Sequence, residues 1–172
     1  MIRYLLLCLP LLMGCGNAAA PDASGSSRDR SAATIVLVRH AEKEAGEDPG
    51  LTPEGQQRAL RLAERYADER LSAVYTTDTR RTRATAAPTA AAHELQVAVY
   101  DPADVASLAK RLLQTPAGQT VLVVGHSNTI PSLVNALVPG AGLAAIDESD
   151  FSNLFVVRVA AKGSARLQQR TY

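Results

Sequence analysis

The chain has 172 residues, a length that fits one domain with a substantial core and is too short for two independent domains and a linker. Hydrophobic residues make up 47% and charged residues 20%, a composition typical of globular proteins and unlike that of disordered chains or disulfide scaffolds. With 18 Lys and Arg against 17 Asp and Glu, the net charge of +1 excludes a protein that coats nucleic acid through general positive charge.

The N-terminus has the pattern of an export signal. One positive charge, Arg3, precedes an apolar run over residues 4–12, and small residues close the run. The run is shorter than the roughly 20 residues of a membrane-spanning helix. Residues 12–15, Leu-Met-Gly-Cys, resemble a bacterial lipobox, so we predict a signal peptide over residues 1–14 and a lipid on Cys15. The alternative is a plain signal peptide, cut a few residues later.

Both forms of the signal export the protein. The lipoprotein form anchors it in a membrane, facing the periplasm or the cell exterior, and the plain form leaves it secreted or periplasmic. In the lipoprotein, Cys8 leaves with the signal and Cys15 is acylated, so no thiol nucleophile, disulfide or Cys-bound metal is expected. Residues 15–31 are rich in Ala, Ser, Gly, Asp and Pro, which predicts a flexible tether to a domain over residues 32–172.

The rest of the sequence alternates strand and helix patterns. In chain order we predict a strand over residues 34–38, a helix over 53–70, a strand over 71–75, a helix over 79–95, a strand over 96–100, a helix over 102–113, a strand over 120–125, a helix over 130–138 and a hairpin from 154–160 and 166–171. Thr52 and Asp101 are the expected N-caps of the first and third helices, and Pro88 is expected to kink the second. This alternation predicts a three-layer α/β/α sandwich with a mainly parallel sheet and a C-terminal β-hairpin.

Polar clusters follow three of the predicted strands. Arg39 and His40 end the first strand, residues 76–83 after the second contain several Thr and Arg, and His126 follows the fourth. Open α/β sheets bind ligands at the carboxyl ends of their strands. We therefore expect Arg39, His40 and His126 to share one crevice, provided that the first and fourth strands are neighbours.

Four ordered motifs resemble those of the histidine phosphatase superfamily, which includes cofactor-dependent phosphoglycerate mutases and bacterial phosphohistidine phosphatases. Arg39-His40-Ala41 resembles the Arg-His-Gly signature, residues 51–57 the start of the first helix, residues 77–86 the Ser-x-x-x-Arg-x-x-x-Thr-Ala segment, and Gly125-His126 the second histidine. The resemblance covers residues 34–160 and implies a phosphoglycerate mutase-like fold.

The resemblance implies a role for each matched residue. His40 is the expected nucleophile, and Arg39, Arg81 and His126 are expected to bind the phosphate oxygens, without a metal or another cofactor. These residue types suit the chemistry, because a neutral imidazole can attack phosphorus and guanidinium groups bind phosphate oxygens in pairs. We therefore predict a histidine-type acid phosphatase, a phosphoric monoester hydrolase, that acts on a phosphorylated small molecule or phosphoprotein and has no nucleic-acid partner.

The general acid is left open by the sequence. Many superfamily members take it from a Glu in an insertion after the third strand, and this chain lacks that insertion. Asp101 and Glu42 are the candidates, although a helix cap explains Asp101 and a solvated loop charge explains Glu42 equally well. Arg80 and Arg81 cannot both face one pocket, because successive helical residues point in different directions. The resemblance assigns the pocket to Arg81, so Arg80 and Arg83 are expected on the surface.

Three other functions match parts of the sequence. Residues 125–129 resemble the nucleophile elbow of a serine hydrolase, but that triad needs a His after the Ser, and no His follows position 126. A phosphoglycerate mutase is less favoured because the Asn common after the signature in mutases is missing near Gly46. A tethered protein that binds phosphorylated ligands or a partner without turnover stays open.

Overall fold

A computed structural model describes residues 31–172 of the chain. The predicted signal peptide, the predicted lipid site Cys15 and all but the last residue of the predicted tether lie outside the described residues. Among the described residues, none of the helices is long and apolar enough to cross a membrane.

The described part of the chain contains every element that the sequence pattern predicts. In chain order the elements are β1 (Ala32–Arg39), α1 (Pro53–Tyr66), β2 (Leu71–Thr76), α2 (Arg80–Ala92), β3 (Val97–Val99), α3 (Val105–Leu112), β4 (Thr120–Gly125), α4 (Thr129–Leu137), β5 (Asn153–Ala160) and β6 (Ala165–Thr171). The strand bounds agree with the prediction to within two residues. The helix ends differ more, because capping decides them.

The strands form one sheet in the order β3-β2-β4-β1-β5-β6. β1 to β4 pair in parallel, while β5 runs antiparallel to β1 and forms the terminal hairpin with β6. The first and fourth strands are neighbours, and Arg39 at the end of β1 lies beside Gly125 at the end of β4. The condition for a shared crevice is therefore met.

Helices cover both faces of the sheet. Because successive strand residues point to opposite faces, alternate residues of β1 enter different cores. Ile35 and Leu37 pack with side chains of α3 and α4, and Val36 and Val38 pack with side chains of α1 and α2. The predicted three-layer sandwich is confirmed.

Two helix ends show how local capping sets the boundaries. α1 begins as predicted, since Thr52 Oγ1 accepts a hydrogen bond from the amide of Gly55 at 3.1 Å. α2 runs through Pro88 but ends before residue 95, because Glu94 takes a left-handed φ of 55°. The amide of the following residue, Leu95, then bonds back to the carbonyl of Ala90 at 2.9 Å, which closes the helix.

The prediction that Asp101 caps the third helix is wrong. The N-cap is Asp104, whose Oδ1 accepts from the amide of Ser107 at 3.1 Å. Asp101 Oδ1 accepts from the amide of Ala103 at 2.8 Å and so holds a separate turn before the helix. Two aspartates three positions apart both match the capping pattern, and the turn at residues 101–103 delays the helix start to the second of them.

Candidate active site

The ends of β1 and β4 bring two histidines together, with their ring planes at 71° to each other. The amide of His40 donates to the carbonyl of Gly125 at 2.8 Å, which extends the pairing of the two strands by one step. The ring centroids of His40 and His126 are then 5.4 Å apart. A side chain at position 125 would meet the hydroxyl of Tyr100 at 2.7 Å and that of Thr129 at 2.8 Å, so a glycine is needed directly before His126.

A hydrogen bond to the backbone fixes the tautomer of His40. Nδ1 lies 2.8 Å from the carbonyl oxygen of Ala41. A carbonyl oxygen can only accept, so Nδ1 carries the proton and Nε2 keeps its lone pair. The ring is 3% exposed, and its unprotonated nitrogen is a nucleophile held in one orientation.

Both histidines are neutral in this crevice. Burial lowers the pKa of His40 from the usual 6.5 to about 4; the bond to Ala41 opposes this effect, and the charge of Arg39 adds to it. Burial also lowers the pKa of His126 to about 4, together with the nearby charges of Arg81 and Arg39. Neutral imidazole is the form that nucleophilic attack by His40 requires.

Arg81 contacts His126 from the first turn of α2. Its Nη2 donates to Nε2 of His126 at 3.0 Å, and its Nη1 lies 3.5 Å from the carboxylate of Asp48. The side chain is 17% exposed, whereas Arg80 and Arg83 on the same turn are exposed, and Arg83 pairs with Asp78. Only one of the three arginines therefore faces the crevice, as the helical spacing predicts.

Arg39 lies under a loop that follows α4. Its Nη1 donates to the backbone carbonyls of Asp147, Glu148 and Asp150 at 2.9, 2.9 and 3.1 Å. Its Nη2 donates to Oε2 of Glu148 at 2.7 Å, and its Cζ lies 4.2 Å from the ring centroid of Phe151. The guanidinium is 1% exposed and holds this loop over the crevice.

The structure does not bring either candidate general acid into contact with the histidines. Asp101 follows β3, which is three strands away from β1, or about 14 Å at the usual strand spacing. Glu42 receives hydrogen bonds from Nε and Nη2 of Arg58 at 2.7 to 3.0 Å. Burial opposes ionisation of Glu42, but the bonds from Arg58 outweigh it and hold the pKa of the carboxyl below its usual range. Glu42 is therefore a carboxylate that ties the signature to α1.

Sequence reasoning missed three residues at the crevice, Ser127, Glu148 and Phe151. The carboxylate of Glu148 bonds to Arg39 through Oε2 and accepts a hydrogen bond from the hydroxyl of Ser127 through Oε1. The ring centroid of Phe151 is 6.0 Å from that of His40. The sequence signal for Glu148 was the acidic run at residues 147–150, which lies shortly before β5.

We expect the protein to lose stability as the pH falls from about 6.5 to about 5. His40 and His126 titrate near 6.5 in an unfolded chain but near 4 in the folded protein, so the unfolded state binds more protons over this interval. The stability that depends on the neutral form of the two histidines is complete above about pH 6.5 and is lost as the pH falls toward about 4. The urea midpoint measured at about pH 7 and about pH 5 should show the fall.

The matched comparison for this pH effect is the double variant with His40→Asn and His126→Asn. Neither asparagine titrates, so the difference between the two midpoints should shrink. A fall as large as in the unchanged protein would assign the pH dependence to other groups and contradict the expectation.

Solved structures share this fold. The protein histidine phosphatase SixA, complexed with tungstate, is 19% identical, with a TM-score of 0.64 over 80% of this chain and 96% of that one. SixA from Nakamurella multipartitia is 28% identical, with a TM-score of 0.60 over 81% and 95%. A phosphoglycerate mutase from Plasmodium falciparum is 18% identical, with a TM-score of 0.60 over 80% and 89%. No curated protein sequence matches the chain.

A family model adds sequence evidence to the shared fold. The histidine phosphatase superfamily (branch 1) matches residues 35–102, which include Arg39, His40 and Arg81. The match and the shared fold both support the histidine phosphatase superfamily as the family that this chain resembles. His126 lies beyond the matched segment, and the pairing of β1 with β4 is what places it close to His40.

Proposed function

We propose that the protein is a histidine phosphatase of this superfamily, a metal-independent phosphomonoesterase that works through a phosphohistidine on His40. In the first step Nε2 attacks phosphorus, the N–P bond forms, the P–O bond to the leaving group breaks, and the leaving oxygen takes a proton from solvent. In the second step water attacks phosphorus and loses a proton to solvent, the N–P bond breaks, and orthophosphate leaves. The balance is one ester and one water converted to one alcohol and one phosphate.

One observation carries the proposal: the bond from Nδ1 of His40 to Ala41 leaves Nε2 unprotonated beside His126. The surrounding charges support it, because Arg39 and Arg81 flank the two rings and each has a buried Nε without a hydrogen-bond partner among the described residues. An oxyanion is the ligand that satisfies such donors. The tungstate in the SixA structure is an oxyanion of this kind.

The positions of Glu42 and Asp101 in the described structure bear on which esters react fastest. Glu42 is paired with Arg58, and Asp101 caps its own turn. With water as the proton source, the rate depends on how readily the leaving oxygen departs as an anion. Aryl phosphates and other esters with good leaving groups are therefore the expected best substrates.

The test is hydrolysis of an aryl phosphate in the presence of EDTA from about pH 4 to about pH 8, combined with trapping of the phosphoenzyme. A radiolabelled substrate should leave label on the protein that survives alkali and is released by acid. Failure to hydrolyse any ester and to take up label would favour a non-catalytic phosphate-binding protein. Transfer of the label to phosphoglycerate in place of water would favour a mutase-type phosphotransferase.

A further inference from the structure

The carboxylate of Glu148 occupies a place in the crevice that a phosphate oxygen would need. Its two oxygens bond to Arg39 and to Ser127, and these residues are the direct neighbours of His40 and His126 in the chain. A phosphate that binds through Arg39 therefore competes with Glu148 for Nη2.

Glu148 can leave Arg39 without disturbing the fold. Its side chain is 76% exposed, whereas Arg39 is 1% exposed. Three backbone carbonyls, from Asp147, Glu148 and Asp150, hold Nη1 of Arg39 regardless of the Glu148 side chain. The hydroxyl of Ser127 remains available to Oε1, so a displaced carboxylate stays at the mouth of the crevice.

The charge at this mouth is negative. The bond from Ser127 holds the pKa of Glu148 below its usual range, so the group is a carboxylate and a poor proton donor. Asp147 and Asp150 add two carboxylates near Arg39, and the cations that act on the ionisation of Glu148 are Arg39, its salt-bridge partner, and Lys43. Once a phosphate has engaged Arg39, a leaving group at the mouth meets three carboxylates, from residues 147, 148 and 150, and one cation, Lys43.

We propose that Glu148 selects the substrate. Its carboxylate leaves Arg39 when the phosphate binds and then faces the leaving group. The site therefore accepts phosphomonoesters with a neutral or ammonium-bearing leaving group and rejects those with a carboxylate beside the phosphate. This inference rests on the proposed function and adds the substrate class to it. Like charges brought together in a partly buried site cost more than the same charges in water.

The test compares two esters of equal length, phosphoethanolamine, which carries an ammonium group, and phosphoglycolate, which carries a carboxylate. The unchanged protein should have the higher kcat/KM for phosphoethanolamine. Glu148→Gln keeps an oxygen for Ser127 and removes the charge, so it should narrow the ratio of the two kcat/KM values by about tenfold. Glu64→Gln makes the same charge change on an exposed residue near the far end of α1 and should leave the ratio as it is.

A second measurement does not depend on turnover. Orthophosphate binding, followed by calorimetry, should be several-fold tighter in Glu148→Gln than in the unchanged protein, because Nη2 of Arg39 no longer has a competing carboxylate. If no ester is hydrolysed but this gain appears, the proposed function fails and the role of Glu148 in anion binding stands. If esters are hydrolysed with an unchanged ratio, or phosphoglycolate is preferred, the role of Glu148 in selection is overturned.

Discussion

Replacing His40 with asparagine should reduce kcat for an aryl phosphate by at least on the order of 10⁴-fold, because the variant has no nitrogen lone pair to attack phosphorus. The amide group of asparagine is small enough for the site and can still donate to Ala41, so the fold should persist. The measurement is steady-state turnover of the purified variant together with phosphoenzyme trapping. Turnover of the aryl phosphate and label on the protein should disappear together.

The control for this variant is His93→Asn. His93 lies at the C-cap of α2, and its Nε2 is 3.0 Å from the carbonyl oxygen of Tyr66, at the far end of the sheet from the crevice. This variant should retain activity and label. Retention of activity in His40→Asn would remove the nucleophile assignment, whatever the fate of the label.

The parts of the site that follow from strand ends were predictable from the sequence. A β-branched run that stops at Arg39-His40 and a buried run that stops before His126 indicate two strands with polar residues at one edge. The two strand ends meet only if β1 pairs with β4, and the structure shows that pairing. Helical geometry alone said that Arg80 and Arg81 cannot both face the crevice, and the choice of Arg81 between them came from the resemblance to the family motif.

The loop over Arg39 could not be predicted in the same way. Residues 147–150 belong to no helix or strand, so no periodicity locates them. Their contacts with Arg39 span 108 to 111 positions of sequence and depend on the path of the chain after α4. A buried arginine needs acceptors, but the sequence does not say which carbonyls supply them.

The cap of α3 was missed for a related reason. Asp101 and Asp104 both have side chains that can accept from a free amide three residues or fewer ahead, and propensity does not distinguish them. The structure uses both, one for a turn and one for the helix. Asp101 therefore holds a turn directly after β3, which is three strands away from β1 and His40.

Arg39→Met should both unfold the protein more easily and weaken phosphate binding. The free energy of unfolding should fall by about 2–3 kcal/mol, because Nη1 bonds to the carbonyls of Asp147, Glu148 and Asp150 are lost and the loop must find water instead. The kcat/KM for an aryl phosphate should fall by roughly 10²- to 10³-fold, the usual effect of removing a charged donor to phosphate oxygens. Urea unfolding and steady-state kinetics measure the two effects separately.

The comparison that isolates burial is Arg83→Met. It removes the same charge and the same three side-chain nitrogens, but Arg83 is 47% exposed and bonds only the exposed carboxylate of Asp78 in the described structure. An exposed pair contributes at most about 1 kcal/mol, so this variant should unfold almost as the unchanged protein does. Arg39→Lys should recover part of the binding but little of the stability, because one ammonium group cannot reach three carbonyls and the Glu148 carboxylate at once. Equal stabilities for Arg39→Met and Arg83→Met would show that the loop does not depend on Arg39, and the position of Glu148 at the crevice would then need another cause.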